Sequence, residues 1–478
     1  METDYDVLIV GAGISGIGAA CHLKTRLPGK TFAVLEAREA LGGTWDLFRF
    51  PGIRSDSDLH TFGYEFKPWT SDHMIADAHE IVDYLREAAA EHDVLSHIRT
   101  GHRVLDASWS SEDVCWTVRV RVGGEERTLT SKVLFGATGY YDHDRGFRPE
   151  FAGEADFAGR IVHPQDWPED LDHAGKRVVV IGSGATAVTL IPAMADTTEH
   201  ITMLQRSPGY IMSVPRRNPI ANGLRRVLPE KTAYRVTRKL HIGFWRGMWT
   251  VSRRYPGAVK RVIRTATKAQ LPRGHRFDEP SYNPWDERLC AVPDGDLFKA
   301  ISAGRASVVT DHIERFTPGG VLLTSGRELE ADIIVVSTGL NMLPLGGLQL
   351  VVDGEPVDYS QKVVFKSMML DGVPNFAYAM GYTNISWTLK VDLVCEHFCR
   401  LLAHMDALGH DTFVPELDDP TLERLPLFDG FDAGYVKRSL ELWPKQGSRE
   451  PWRLSMSYII DVAKIRHGRV DDGVLRFA

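Results

Sequence analysis

Residues 6–23 read DVLIVGAGISGIGAACHL, and residues 32–43 follow as FAVLEAREALGG. The apolar, β-branched run ending at Val10 predicts a buried strand, and Gly11, Gly13 and Gly16 complete a G-x-G-x-x-G turn into a helix. The first glycine permits the tight turn. The second lets the backbone approach a pyrophosphate, and the third lets the helix pack on the strand. The helix N-terminus then offers free N–H groups and a positive dipole end to the phosphates. Glu36 ends the next strand, 20 residues after Gly16, where a carboxylate can accept hydrogen bonds from ribose hydroxyls. Strand, glycine turn, helix, strand and acid, in that order, predict a dinucleotide site that suits FAD or NAD.

The pattern recurs. Residues 177–195 read RVVVIGSGATAVTLIPAMA and residues 200–208 HITMLQRSP, so that Gly182, Gly184 and Ala187 fit the G-x-G-x-x-A variant. Glu36 stands 25 residues after Gly11, and Arg206 stands 24 after Gly182, with Gln205 before it. On this alignment the sign of charge is reversed. A cation there pairs with a 2′-phosphate and points to NADP, an ordinary surface arginine being the alternative. KVLFGATGYY (132–141) and ADIIVVSTGL (331–340) each run an apolar strand into a small-residue-Thr-Gly turn and read as the two crossings between the nucleotide units. Two dinucleotide sites in one chain suggest that NADPH delivers hydride and a flavin receives it.

Composition agrees with a folded enzyme. The 478 residues allow two to four domains, and 43% hydrophobic with 25% charged residues excludes a disordered chain or a rod. Five cysteines, at 21, 115, 290, 395 and 399, are too few and scattered for a disulfide framework. No basic n-region or cleavage site precedes the first strand, and the uncharged stretches 7–23 and 178–195 read as strand–turn–helix rather than membrane spans. The cytoplasm is the expected location. From Arg206 to Arg276 the chain carries 18 Lys or Arg and one acid, Glu230, a charge of +17 that leaves −24 for the rest of the −7 total. These cations alternate with the rings of Tyr234, Phe244, Trp245, Trp249 and Tyr255. A helical insertion with a solvated basic face is the favoured reading and peripheral membrane contact the alternative. No nucleic-acid fold motif is present.

Between the two sites, FAGRIVHPQDWP (157–168) fits F-x-G-x-x-x-H-x-x-x-W-P through Phe157, Gly159, His163, Trp167 and Pro168. This resembles the fingerprint of the flavin-dependent Baeyer–Villiger monooxygenases. GGTWDLFRFPGIRSDSD (42–58), YNPWDERLCAVPDGDLF (282–298) and PKQGSREPWRL (444–454) resemble mycobacterial members of the class, and the likeness extends along nearly the whole chain. The resemblance implies FAD and NADPH as cofactors, O₂ as oxidant and a C4a-peroxyflavin that inserts oxygen into ketones to give esters or lactones. Sulfides or thioamides would also be oxidised. It places a catalytic cation at Arg288, with Asp56 of the GIRSD segment as the acid that orients it, and lays Gly42, Gly43, Thr44 and Trp45 along the flavin. His163 reads as a structural hinge and Trp167 as packing. No metal is implied. Many relatives carry lysine before that arginine, whereas this chain has Glu287. A carboxylate would repel the 2′-phosphate, so Arg206 would carry more of the preference, with Arg216 or Arg217, and use of NADH stays open.

The implied architecture is α/β, with two doubly wound dinucleotide-binding domains and a helical insertion. The FAD domain would comprise 1–142 and 340–478, the NADP domain 143–208 and 277–339, and the insertion 209–276. The rival readings are an N- or S-oxygenating flavin monooxygenase without Baeyer–Villiger activity, a disulfide reductase, and a non-catalytic membrane-associated flavoprotein. The reductase needs a redox cysteine pair after the first βαβ unit, where Gly, Thr and Trp stand instead.

Overall fold

The computed structural model describes residues 3–275, 278–287, 289–429 and 433–478. Strand β1 (Tyr5–Val10), helix α1 (Ile14–Arg26) and β2 (Phe32–Leu35) open the chain. A meander of β3 (His102–Ser110), β4 (Cys115–Val122) and β5 (Glu125–Gly136) follows. The long β5 does two jobs. Its first residues pair antiparallel with β4, and its last pair parallel with β1. Alternation sorts the apolar side chains of β1: Val7 and Ile9 join the core under the helices, Leu8 and Val10 the core under the meander. All four are fully or nearly fully buried, as expected for a parallel strand covered on both faces.

The chain leaves this sheet through β6 (Tyr141–Gly146) and builds a second one from β7 (Arg160–Val162), β8 (Arg177–Ile181), α2 (Ala185–Met194) and β9 (His200–Gln205). Three helices follow: α3 (Pro219–Val227), α4 (Glu230–Arg254) and α5 (Pro256–Gln270). Then come β10 (Ala306–Thr310) and β11 (Ile333–Val336), completing a five-stranded, all-parallel sheet ordered β10-β9-β8-β11-β7. The return strand β12 (Leu340–Met342) pairs antiparallel with β6, so the two crossings run side by side. Finally β13 (Phe376–Tyr378) adds parallel to β5, and α6 (Thr388–Leu408) packs on α1. The helical segment differs from expectation at its start. Ile211–Val214 is a strand, paired parallel with Cys290–Pro293, because its alternating apolar residues are tied down by that partner.

The two halves are built alike at hydrogen-bond level. Gly11 N–H donates to the Leu35 carbonyl at 2.7 Å and Gly182 N–H to the Leu204 carbonyl at 2.8 Å. Ala137 N–H donates to Val10 and Ser337 N–H to Ile181, at 2.8 and 2.9 Å. A Cβ on Gly11 would lie 2.6 Å from the Ala137 carbonyl oxygen, and one on Gly182 would lie 2.2 Å from that of Ser337. Both glycines also have positive φ, +105° and +131°. The stretches 132–141 and 331–340 are therefore equivalent strand-to-crossing segments.

Candidate active site

The first cleft opens at the end of β1, as a cavity of about 380 Å³ lined by Gly11, Gly13, Glu36, Gly43, Thr44, Trp45 and Asp56. Helix α1 begins at Gly13 with no side-chain cap, which leaves its first N–H groups directed at the cleft. Gly16 is buried within α1, where a Cβ would lie 1.8 Å from the Gly11 carbonyl oxygen. Glu36 is buried and accepts from the N–H groups of Ala12 at 2.8 Å and Arg38 at 3.0 Å, which holds its carboxylate at the cleft wall. A Cβ on Gly43 would lie 3.0 Å from Gly13 Cα, so the two glycine loops touch and keep the floor open. The Arg38 guanidinium pairs with Asp46 at 2.6 Å, while its Nε is buried and has no hydrogen-bond partner. A buried unpartnered donor beside a capless helix start fits an anionic dinucleotide.

The second cleft, about 450 Å³, is lined by Gly182, Gly184, Thr186 and Arg206, and reaches Thr44, Trp45 and Asp56. Helix α2 likewise starts at Gly184 without a side-chain cap, and Ala187 is fully buried behind it. The ladder corrects the alignment read from residue counts. Leu204 stands where Leu35 stands, so Gln205, not Arg206, is the counterpart of Glu36. Gln205 is buried and donates to Thr310 Oγ1 at 2.9 Å, and Arg206 follows it exposed at the cleft. Arg216 does not join the cleft: it pairs with Asp77 at 2.8 Å. Arg217 is exposed and does not line it either. The other cations there are Arg54 and Arg438. Arg54 pairs with Asp296 at 2.5 Å and keeps a buried Nη2 without a hydrogen-bond partner. Arg438 lies over the Phe147 ring at 3.5 Å. Arg54 belongs to the GIRSD segment that also holds Asp56, whereas no short motif marks Arg438.

Asp56 lines both clefts and a third cavity formed with Trp245, Trp285, Glu287 and Asn384. Arg288 lies outside the described residues. Its neighbour Glu287 borders the second cleft and the third cavity. The aromatic walls were not singled out from sequence. Tyr140 stacks on Trp387 with ring centres 4.9 Å apart, and the Trp387 indole donates to Ser15 Oγ at 2.9 Å. Thr44 Oγ1 meets His143 Nε2 at 3.4 Å. Burial lowers the His143 pKa, and the Arg38 charge adds to the effect.

None of the fingerprint residues lines either cleft, and of the five His163 packs against the crossing strand β6. Phe157 packs in the core beside Phe316. A Cβ on Gly159 would lie 2.2 Å from the Asp332 carbonyl oxygen. His163 Nδ1 accepts from Gln165 N–H at 3.2 Å, and its Cε1 would lie 2.0 Å from a Cβ on Gly146 of β6. Burial lowers its pKa, against the pull of Asp166 and the Gly339 and Phe147 carbonyls. Trp167 packs half-buried, with Pro168 next to it. All five cysteines are buried, and no disulfide joins them. Burial pushes the Cys399 thiol up to about 12 and Cys395 well above its ordinary value, the opposite of a reactive dithiol.

Two dinucleotide clefts built alike, which share Thr44, Trp45, Asp56 and Tyr141, define a two-nucleotide flavoprotein. The family described as pyridine nucleotide-disulphide oxidoreductase matches residues 8–218. The FAD-containing monooxygenase EthA of Mycobacterium tuberculosis is 51% identical, covering 100% of this chain and 98% of its own length. The probable FAD-binding monooxygenase AlmA of Acinetobacter baylyi is 46% identical, covering 100% and 97%. In structure the chain is similar to an oxidized steroid monooxygenase bound to NADP (TM-score 0.77, 22% identity, 99% of each chain) and to OTEMO in complex with FAD and NADP (0.76, 19%, 100% of each). The chain belongs to the FAD-containing monooxygenases, the family of EthA, and is an enzyme.

Proposed function

We propose that the enzyme uses FAD, NADPH and O₂ to insert one oxygen atom into ketones, giving esters or lactones, and that it also oxidises sulfides or thioamides. The observation that carries this reading is the convergence of both clefts and the third cavity on Asp56. Bound NADPH supplies the hydride, and bound FAD supplies the oxygen-activating chemistry. On this reading the first cleft belongs to FAD, through Gly11, Gly13, Gly16, Glu36, Gly43, Thr44 and Trp45. The second belongs to NADPH, through Gly182, Gly184, Ala187 and Arg206. Arg54 and Arg438 add positive charge there. The sheet of β1 and the sheet of β8 act as separate FAD and NADP domains joined by the paired crossings. Trp45 and Tyr141, which line both clefts, keep water from the meeting point.

Asp56 orients Arg288, and Arg288 balances the negative charge that grows on the substrate carbonyl oxygen. Glu287 bordering the same cavities supports this placement. His163 holds the two crossings together and takes no proton from substrate. Product analysis tests the proposal: purified protein with FAD, NADPH and air is given an aryl ketone and, separately, an aryl methyl sulfide. Ester is the expected ketone product. Sulfoxide alone, across a wider ketone panel, would replace the proposal with heteroatom oxygenation. Arg288→Ala should still let NADPH reduce the flavin but yield no ester, and an undiminished ester yield would remove its role.

A further inference from the structure

Helix α4 has three different sides. One is docked: Tyr234 and Arg238 are buried, and the Trp245 indole donates to Asp58 Oδ2 at 2.8 Å. A second carries large apolar side chains into solvent. Val236, Leu240, Phe244 and Val251 are 37, 52, 56 and 48% exposed. At 3.6 residues per turn they fall, with Gly243 and Gly247, within a stripe about 100° wide. A Cβ on either glycine would meet nothing within 4 Å, so the stripe stands open along its length. Tyr255, 59% exposed at the end of α4, continues it. The third side is basic, with Arg235, Lys239 and Arg246 exposed. The stripe is therefore edged by cations on one side and anchored by the docked face on the other.

We propose that α4 is a peripheral docking face for an anionic lipid bilayer, with the apolar stripe entering the headgroup layer and the basic side meeting lipid phosphates. Charge decides the occupant. The segment 206–276 carries +17 by sequence and the rest of the chain −24. Arg216, Arg225, Arg238, Arg253 and Arg264 pair with acids outside the segment, whereas Arg235, Lys239 and Arg246 stand exposed along one side of α4. A second copy meeting it face to face would set the exposed cations Arg235, Lys239 and Arg246 against their own copies, which disfavours a two-fold dimer there. No described helix is long and apolar enough to span a membrane, so contact is at the surface. The geometry gives docking a use, because Trp245 on the inner side of α4 lines the cavity that contains Asp56. A docked bilayer thus lies one helix diameter, about 10 Å, from that wall.

The test uses the FAD-loaded full chain and vesicle flotation, with phosphatidylcholine vesicles alone or mixed with phosphatidylglycerol. Flotation with the anionic vesicles should exceed that with neutral ones by about tenfold and fall as salt is raised. Phe244→Asp and Leu240→Asp should each abolish flotation with FAD content unchanged, and the pair Arg235→Glu and Lys239→Glu should remove the preference for anionic lipid. Absence of flotation, or equal flotation with neutral vesicles, overturns the proposal. So does light scattering without lipid in which Phe244→Asp splits an oligomer, since the stripe would then belong to a second copy. None of these readouts depends on oxygenation.

Discussion

Glu36 and Gln205 occupy equivalent places in the two halves, and their chemistry differs as the two ligands would require. Glu36 is an anion held by two backbone N–H groups, able to accept from ribose hydroxyls. Gln205 is neutral and turned to Thr310, which leaves the exposed Arg206 as the charged group at the cleft edge. Arg206→Ala should raise the KM for NADPH about tenfold or more, consistent with roughly 1.5–3 kcal/mol for a charged hydrogen bond, and leave that for NADH nearly unchanged. Equal changes would dismiss the 2′-phosphate contact. The leading glycines allow the halves to be tested separately. With a carbonyl oxygen 2.6 Å away, Gly11→Ala should give protein that purifies without FAD. Gly182→Ala meets its oxygen at 2.2 Å and should keep FAD, while stopped-flow reduction by NADPH slows at least tenfold. Flavin loss from the second variant, but not the first, would reverse the assignment.

Among the elements, α4 illustrates how a basic segment can be partly structural. Arg238 is buried and donates to the carbonyls of His60 and Gly63 at 3.0 and 2.7 Å, and to Asp392 of α6 at 3.1 Å. It caps the short helix Leu59–Phe62 and ties α4 to α6. Removing the cation leaves a buried carboxylate held by the Glu65 N–H at 2.9 Å and the His22 ring at 3.4 Å. Arg238→Met should therefore cost about 3–5 kcal/mol in urea unfolding. A loss below about 1 kcal/mol would mean that water reaches Asp392. At the start of the same short helix, Asp58 is buried, which alone would raise its pKa. Hydrogen bonding and charge from His241 outweigh burial and hold it at about 2. The aromatic residues of α4 divide accordingly, Tyr234 and Trp245 inward and Phe244 outward.

Over the whole molecule, buried histidines should make stability depend on pH. His397 lies in α6 with Nδ1 2.8 Å from the Ile465 carbonyl, and burial, helped by Lys366, lowers its pKa to about 4. The unfolded chain takes up this proton near pH 6.5, whereas the folded chain does so only near 4. The contribution is thus fully present above 6.5 and is lost as pH falls from 6.5 to 4, by up to about 3 kcal/mol. Unfolding free energies measured across that window should fall less steeply for His397→Asn than for the unsubstituted protein. Identical slopes would assign the dependence to other groups. The paired crossings β6 and β12 join the two sheets, and His163 packs where they meet. His163 of the fingerprint thus packs at the joint between the two sheets, outside both clefts.

The sequence by itself determined the two βαβ units, the order of their glycines and the small-residue turns at 137 and 337, because each follows from local backbone need: a positive φ, a missing Cβ, or an apolar strand covered on both faces. It also carried the family likeness. Only the tertiary structure decided which residue is the counterpart of Glu36, since in their separate parallel ladders Leu35 pairs with Val10 and Leu204 with Ile181. It alone brought Arg38, Arg54, Arg438, Tyr140 and Trp387 to the clefts. It also diverted Arg216 to Asp77 and divided α4 into docked, apolar and basic sides. Those outcomes depend on partners tens to hundreds of residues away, and no local pattern encodes such distances.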